Sequence, residues 1–182
     1  MSSEQLSKIS NTIKFLSADM IQSANSGHPG TPMGLSDVMS VFMSKVRHNP
    51  KNPAWLNRDR VVFSGGHASA LVYSYLYLSG YDLSMDDLKS FRRLHSKTPG
   101  HPEITTPGVE IATGPLGQGV ANAVGFAMAA KYAAHLLNEE GNEIIDHRVY
   151  CFCGDGDLQE GISYEACALA GRHNLDNLTI IY

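Results

Sequence analysis

Three histidines of this sequence stand beside glycine in segments that cannot be regular structure. His28 and His101 each lie between a glycine and a proline, and His67 follows two glycines. A Gly-His-Pro segment interrupts helices and central strands, so the imidazole is displayed on a rigid loop. A single loop histidine is usually only a solvated polar residue, but three in the same setting favour hydrogen bonding to a substrate and proton transfer. Zinc is the competing use, and the sequence lacks an H-x-H, an H-E-x-x-H or a cysteine partner at zinc spacing.

The segment Gly154–Gly161 reads Gly-Asp-Gly-Asp-Leu-Gln-Glu-Gly and joins an apolar run to a helical pattern. Glycines let a backbone approach a ligand closely, and a helix N-terminus favours phosphate. Asp155 is a suitable oxygen ligand for Mg²⁺ or Ca²⁺ held also by phosphate oxygens, whereas Asp157 with Glu160 predicts a capping box. An EF-hand would need a glutamate where Ala166 stands, and a haloacid dehalogenase-type phosphatase would need an earlier Asp-x-Asp.

A second glycine-rich segment, Gly114–Gly119, precedes a long stretch rich in alanine. Its spacing is G-x-x-G-x-G rather than the G-x-G-x-x-G of dinucleotide-binding proteins, and no acidic residue ends a second strand about twenty residues later. The segment is therefore a poor nicotinamide fingerprint. It is a plausible backbone cradle for an anionic cofactor.

The elements that must position these residues alternate between helix and strand. Apolar spacing predicts a helix from Leu6 to Met20, and Thr31 with a following proline predicts the start of a second helix. Further helices are predicted over 68–78 and from Leu158 to about Arg172, with Ser84 capping a short one between them. The predicted strands are Arg60–Ser64, a possible strand at Val109–Thr113, Arg148–Cys153 and Leu178–Tyr182. This order predicts an α/β fold, a mostly parallel sheet with helices on both faces, formed by residues 1–182 as a single domain.

Composition excludes several classes of protein. A net charge of −4 and a pI near 6.0 argue against a nucleic-acid or anionic-membrane binder, since either would need a basic face. The polar N-terminus lacks the apolar stretch of a signal peptide, and the three cysteines form no C-x-x-C. We therefore expect a cytoplasmic protein without a membrane segment. Because the sequence ends inside the apolar run that closes with Tyr182, we also expect the domain to be C-terminally truncated.

Taken in order, five segments of the sequence strongly resemble the N-terminal region of the transketolase family. They are Ser26–Gly30, Ser64–His67, Gly100–Glu103, Thr113–Gly119 and Gly154–Gly156. Gly-Asp-Gly alone would indicate only an enzyme that uses thiamine diphosphate, whereas the Gly-His-Pro and Gly-Pro-Leu-Gly-Gln-Gly segments are narrower. The resemblance covers essentially the whole chain and implies the diphosphate-binding domain of the thiamine diphosphate-binding fold. Dihydroxyacetone synthases are close relatives that the motifs do not separate.

The resemblance implies a set of cofactor-binding residues. Asp155 would coordinate the Mg²⁺ or Ca²⁺ that neutralises thiamine diphosphate, and Gly156 would contact the diphosphate. His67 would lie near the cofactor phosphates. The thiazolium ring would be lined by three further residues, Gly114, Pro115 and Leu116.

The resemblance also implies catalytic roles and partners. His28 and His101 would hydrogen-bond sugar hydroxyls and assist proton transfer, and Glu160 would link the site to its partner across a homodimer. The reaction would be transfer of a two-carbon ketol unit from a ketose phosphate to an aldose phosphate, in the pentose phosphate pathway. The family's pyrimidine-binding and C-terminal domains would be missing, so the chain would be inactive alone. The alternatives are a subunit of a split transketolase, a dihydroxyacetone synthase-like enzyme, and a non-catalytic assembly module.

Overall fold

The computed structural model describes residues Met1–Tyr182, which form two compact units. The first unit comprises Met1–Val46 and His67–Ala112, and the second comprises Arg47–Gly66 and Thr113–Tyr182. The helices of the first unit are α1 (Ser3–Ala24), α2 (Gly30–Met43), α3 (Ser69–Ser79) and α4 (Met85–Lys89). The second unit contains β1 (Arg60–Phe63), α5 (Gln118–Leu137), β2 (Val149–Phe152), α6 (Asp155–Gln159), α7 (Gly161–Arg172) and β3 (Leu178–Ile181).

Local signals set the ends of the helices in the first unit. A capping box at Ser2 starts α1, and Asn25 ends it in the left-handed conformation that favours asparagine and glycine. The predicted capping box at Ser84 is confirmed, since Ser84 and Asp87 each accept a hydrogen bond from the other's backbone N–H at the start of α4. Helix α3 is apolar over most of its surface and contacts α1, α2 and α4. It is therefore the central helix of this unit.

A three-stranded parallel sheet organises the second unit, in the order β1-β2-β3. Helix α5 contacts all three strands. The face that it buries includes Ala123, Val124 and Ala127, and small side chains of this kind allow a helix to approach a sheet closely. The α/β class and the parallel sheet are thus confirmed, while the assignment of residues 1–182 to a single domain stays a prediction. No helix is both long and apolar enough to cross a bilayer.

The structure corrects three predicted elements. Residues 109–113 form no strand. The helix predicted from Leu158 to Arg172 is divided, because Glu160 has an extended backbone (ψ 136°) between α6 and α7. Helix α2 starts at Gly30, with Pro29 rather than Thr31 at the capping position.

Parallel strands bring their carboxyl ends to one edge of the sheet, where ligands of open α/β folds bind. Residues Ser64–Gly66 follow β1, and Cys153–Gly154 follow β2. The Gly-Gly and Gly-Asp-Gly segments therefore leave neighbouring strands at the same edge.

Candidate functional site

The buried carboxylate of Asp157 joins three turns of the second unit. Asp157 is fully buried, and its Oδ1 accepts hydrogen bonds from Ser64 Oγ at 2.6 Å and from the Gly117 N–H at 2.9 Å. Its Oδ2 accepts a hydrogen bond from the Gly154 N–H at 2.9 Å. Ser64 Oγ in turn accepts from the Val120 N–H at 3.2 Å, in the first turn of α5. We call the segments Ser64–Gly66, Gly114–Gly117 and Gly154–Gly156, with Asp157, the glycine-turn cluster.

Two turns of this cluster approach each other so closely at Gly66 that no side chain fits there. A Cβ on Gly66 would lie 2.4 Å from the carbonyl oxygen of Thr113, a separation that no real Cβ tolerates. A Cβ on Gly156 would lie 2.9 Å from Cδ1 of Leu116. The structure therefore brings together Leu116 and Gly156, two of the residues predicted to bind the cofactor.

Asp155 and Glu160 lie at the two ends of α6, and both are exposed. Asp155 makes none of the hydrogen bonds that fix Asp157, so its carboxylate oxygens are available to a ligand. Glu160 lies beside the Gly114–Gly117 turn, since a Cβ on Gly117 would lie 2.7 Å from Cβ of Glu160. The Gly114–Gly117 turn therefore contacts both Gly156 and Glu160. This region contains five of the predicted site residues, which are Gly114, Pro115, Leu116, Gly156 and Glu160.

The predicted capping box of Asp157 and Glu160 is only partly right. Asp157 is the third residue of α6, where its carboxylate accepts from the Gly154 N–H of the N-cap position. Glu160 is instead the N-cap residue of α7, and its side chain makes no capping hydrogen bond. Glu160 is therefore free of the structural role that the sequence pattern predicts for it.

The donor set fits a divalent cation that is shared with an anionic ligand. No group of three or more His, Cys, Asp or Glu side chains is placed to hold a metal ion by itself. Asp155 offers one exposed carboxylate, and the segments 113–127 and 153–166 contain no Lys or Arg that could neutralise a phosphate. Mg²⁺ bound by one or two carboxylates and by phosphate oxygens is a common arrangement. The residues of the glycine-turn cluster fit this mode of Mg²⁺ binding.

The first unit places the predicted histidines together. The rings of His28 and His67 are 5.3 Å apart between centroids and meet edge to face, at 68°. Burial lowers the pKa of His28, and the positive charges of His67, Arg92 and His101 lower this pKa further. His28 therefore favours the neutral form at pH 7, in which one ring nitrogen donates a hydrogen bond and the other accepts. We call His28, His67 and His101 the histidine cluster.

Helix α3 anchors the loop that carries His101. Its first residue, Ser69, donates a hydrogen bond from Oγ to the Gly100 carbonyl oxygen at 2.7 Å. Tyr73, one turn later, donates from its hydroxyl to the Pro99 carbonyl oxygen at 2.7 Å. His67 lies two residues before the first residue of α3, so this helix holds the His101 turn and begins close to His67.

Sequence reasoning missed two residues that shape these clusters. Ser64 belongs to the family-like segment Ser64–His67, but the sequence alone assigns it no role. A serine directly after a buried strand and before Gly-Gly is nevertheless well placed to bond a neighbouring turn. Arg92 carries no local signal, because it stands in an ordinary charged stretch. Its contacts come from residues that are distant in sequence.

Comparison with known proteins shows the family of this chain. Residues 5–182 match the family described as "Transketolase, thiamine diphosphate binding domain". The chain is 58% identical over 177 residues to transketolase 1 of Pasteurella multocida, which covers 96% of the chain and 26% of that protein.

Solved structures agree with this match. The crystal structure of transketolase from Campylobacter jejuni superimposes with a TM-score of 0.97 at 71% sequence identity, covering 100% of this chain and 28% of that one. Transketolase from Leishmania mexicana gives a TM-score of 0.96 at 50% identity, covering 100% of this chain and 27% of that one. The chain therefore spans about a quarter of the length of these relatives. It belongs to the transketolase family and corresponds to the family's thiamine diphosphate-binding domain.

Proposed function

We propose that this chain is the cofactor-binding part of a transketolase, an enzyme that transfers a two-carbon ketol unit from a ketose phosphate to an aldose phosphate. The observation that carries the proposal is the glycine-turn cluster, in which Asp157 fixes three glycine turns beside the exposed carboxylate of Asp155. The family's motifs coincide with these turns. Thiamine diphosphate, when bound, supplies the carbanion chemistry of the reaction.

The glycine-turn cluster would hold the cofactor's diphosphate through a cation. Asp155 would ligate Mg²⁺ or Ca²⁺, and Gly156 would present its backbone to a phosphate oxygen. A diphosphate carries about three negative charges, which a divalent ion must offset where the turns offer no Lys or Arg. Leu116, with Gly114 and Pro115, would line the thiazolium ring from the apolar side of the turn.

The histidine cluster would act on the sugar substrates and the cofactor phosphates. A neutral His28 can accept a proton from a sugar hydroxyl or donate a hydrogen bond to it without a net charge in the site. His101 would orient the hydroxyls of the same sugar, and His67 would lie near the phosphates. Proton transfer by a positioned side chain contributes about 10²–10⁴-fold to the rate.

Glu160 would act across a homodimer. Its exposed side chain, free of capping bonds, stands at the break between α6 and α7, where a partner subunit can reach it. We propose a cytoplasmic homodimer of the pentose phosphate pathway, in which further domains bind the cofactor's pyrimidine and the sugar phosphates. Because the chain covers 26–28% of its relatives, we expect the isolated chain to show no ketol transfer.

The test is a chimera in which this chain replaces the matching segment of the Campylobacter jejuni transketolase. We expect ketol transfer from a ketose phosphate to an aldose phosphate within about tenfold of the unaltered enzyme. His28→Gln in the chimera should lower kcat by about 10²-fold or more, while His135→Gln, on the exposed side of α5, should leave kcat unchanged.

A folded, dimeric chimera without ketol transfer would refute the proposal. Unchanged kcat in His28→Gln would favour a non-catalytic role for the histidine cluster.

A further inference from the structure

Arg92 lies between the two Gly-His-Pro turns of the first unit and bonds to both. Its Nη1 donates to Ser26 Oγ at 3.0 Å, two residues before His28. Its Nη2 donates to the Gly100 carbonyl oxygen at 3.5 Å, directly before His101. A guanidinium is a planar fork of five N–H donors, so one side chain can hold two acceptors in a fixed relation.

The backbone of Arg92 is in an uncommon conformation that its surroundings enforce. Its φ of 60° lies in the left-handed region, which non-glycine residues rarely adopt. Its N–H donates to the Thr98 carbonyl oxygen at 2.9 Å, which closes the loop that leads to Gly100. Strained positions persist only where the surrounding structure over-determines them, and they are frequent at functional sites.

Close packing leaves the two turns little freedom around this arginine. A Cβ on Gly100 would lie 3.3 Å from the Cζ atom of Arg92, and a Cβ on Gly27 would lie 3.4 Å from Cε1 of Phe91. The Arg92 guanidinium also stacks over the Phe91 ring, with Cζ 5.6 Å from the ring centroid. The side chains of residues 91 and 92 thus fill the space between the turns.

We propose that Arg92 is a positioning residue, which ties the turn at 26–29 to the turn at 99–102 and so sets where His28 and His101 stand. The inference rests on the proposed function only in taking these two histidines to contact the sugar. The link between the turns is a property of the first unit and is measurable without cofactor or substrate.

The charge of Arg92 adds a second way to observe this link. Both acceptors of its guanidinium are neutral oxygens, and Arg92 forms no salt bridge. The pKa of His28 is lowered first by burial and then by His67, Arg92 and His101. Removing the charge at 92 should therefore raise the pKa of His28.

The test compares Arg92→Gln with Arg93→Gln in the isolated chain. Both variants lose one positive charge in adjacent positions, but Arg93 is exposed and bonds to neither turn. NMR titration of the histidine side chains should show a higher pKa for His28 in Arg92→Gln than in Arg93→Gln. The NMR order parameters of the His28 and His101 amides should both fall in Arg92→Gln, from about 0.85 toward 0.6, as expected for turns that lose a charged hydrogen bond.

Arg92→Lys separates charge from geometry. It keeps the positive charge near His28 but lacks the fork that bonds two acceptors. We expect the pKa of His28 to stay near that of the unaltered chain while the order parameters at both turns stay as low as in Arg92→Gln.

Equal histidine titration and equal order parameters in Arg92→Gln and Arg93→Gln would overturn the proposal. If circular dichroism shows that Arg92→Gln does not fold, Ser26→Ala tests the same link, since it removes one acceptor and leaves the arginine. A lower order parameter at His101, far from residue 26 in sequence, supports the link, and a change confined to His28 overturns it. These outcomes do not depend on ketol transfer, so either claim can fail without the other.

Discussion

Removing the Asp157 carboxylate should destabilise the chain more than any nearby substitution. Asp157→Ala would leave three donors, Ser64 Oγ and the N–H groups of Gly117 and Gly154, without an acceptor in a fully buried place. A buried donor without a partner costs about 1–3 kcal/mol. The serine hydroxyl can rotate to another acceptor, so we count mainly the two N–H groups and expect a loss of about 2–5 kcal/mol.

That loss is a large part of the 5–15 kcal/mol by which domains are typically stable. Urea unfolding of the isolated chain, followed by circular dichroism, measures it. Asp155→Ala is the matched control, because Asp155 is exposed and two residues away, and it should change the free energy of unfolding by less than about 0.5 kcal/mol. A loss below about 1 kcal/mol for Asp157→Ala would refute the reasoning that this carboxylate joins the turns.

Two further predictions concern packing and pH. Gly66→Ala places a Cβ 2.4 Å from the Thr113 carbonyl oxygen, and should lower the free energy of unfolding by about 1–3 kcal/mol. Gly125→Ala, in α5 with open space around its Cβ position, should raise the free energy of unfolding by about 0.5–1 kcal/mol. Thermal melts of both variants measure this contrast, and equal effects of the two substitutions would contradict the prediction. Burial lowers the pKa of His147, so the unfolded chain binds this proton more readily and stability should fall as pH drops below about 6.5. His147→Gln should flatten that slope in urea titrations between pH 7 and 5, and an unchanged slope would contradict the assignment.

The sheet could be predicted from sequence because its signals are local. Three apolar runs bounded by polar or glycine-rich segments gave β1, β2 and β3 to within a residue or two at each end. The capping box at Ser84 could be predicted for the same reason, since its two residues, Ser84 and Asp87, are three residues apart. Residues 109–113 alternate like a strand, but they pair with no other strand and so remain irregular.

The division between α6 and α7 could not be predicted from the sequence, because the folded structure interrupts a continuous helical pattern there. The Ser163 hydroxyl donates to the Asp157 carbonyl oxygen at 2.6 Å, and Glu160 takes an extended backbone between them. This break ends α6 and leaves the Glu160 side chain without a capping bond.

The candidate site shows the same limit. Local pattern predicted a capping role for Asp157, and Asp157 has one, but its partner is the Gly154 N–H three residues before it rather than the predicted Glu160. The other partners of Asp157, Ser64 and Gly117, are 93 and 40 residues away. Arg92 reaches Ser26 across 66 residues. Such links follow from the fold, and a single sequence carries no local signal for them.

The most direct test of the central claim is cofactor binding by the chimera with the Campylobacter jejuni enzyme, measured by calorimetry with and without Mg²⁺. We predict that thiamine diphosphate binds only when the divalent ion is present. Asp155→Asn should weaken binding by about tenfold or more, whereas Asp19→Asn, an exposed aspartate of α1, should not. Binding that is equally tight without a divalent ion, or in Asp155→Asn, would contradict the account.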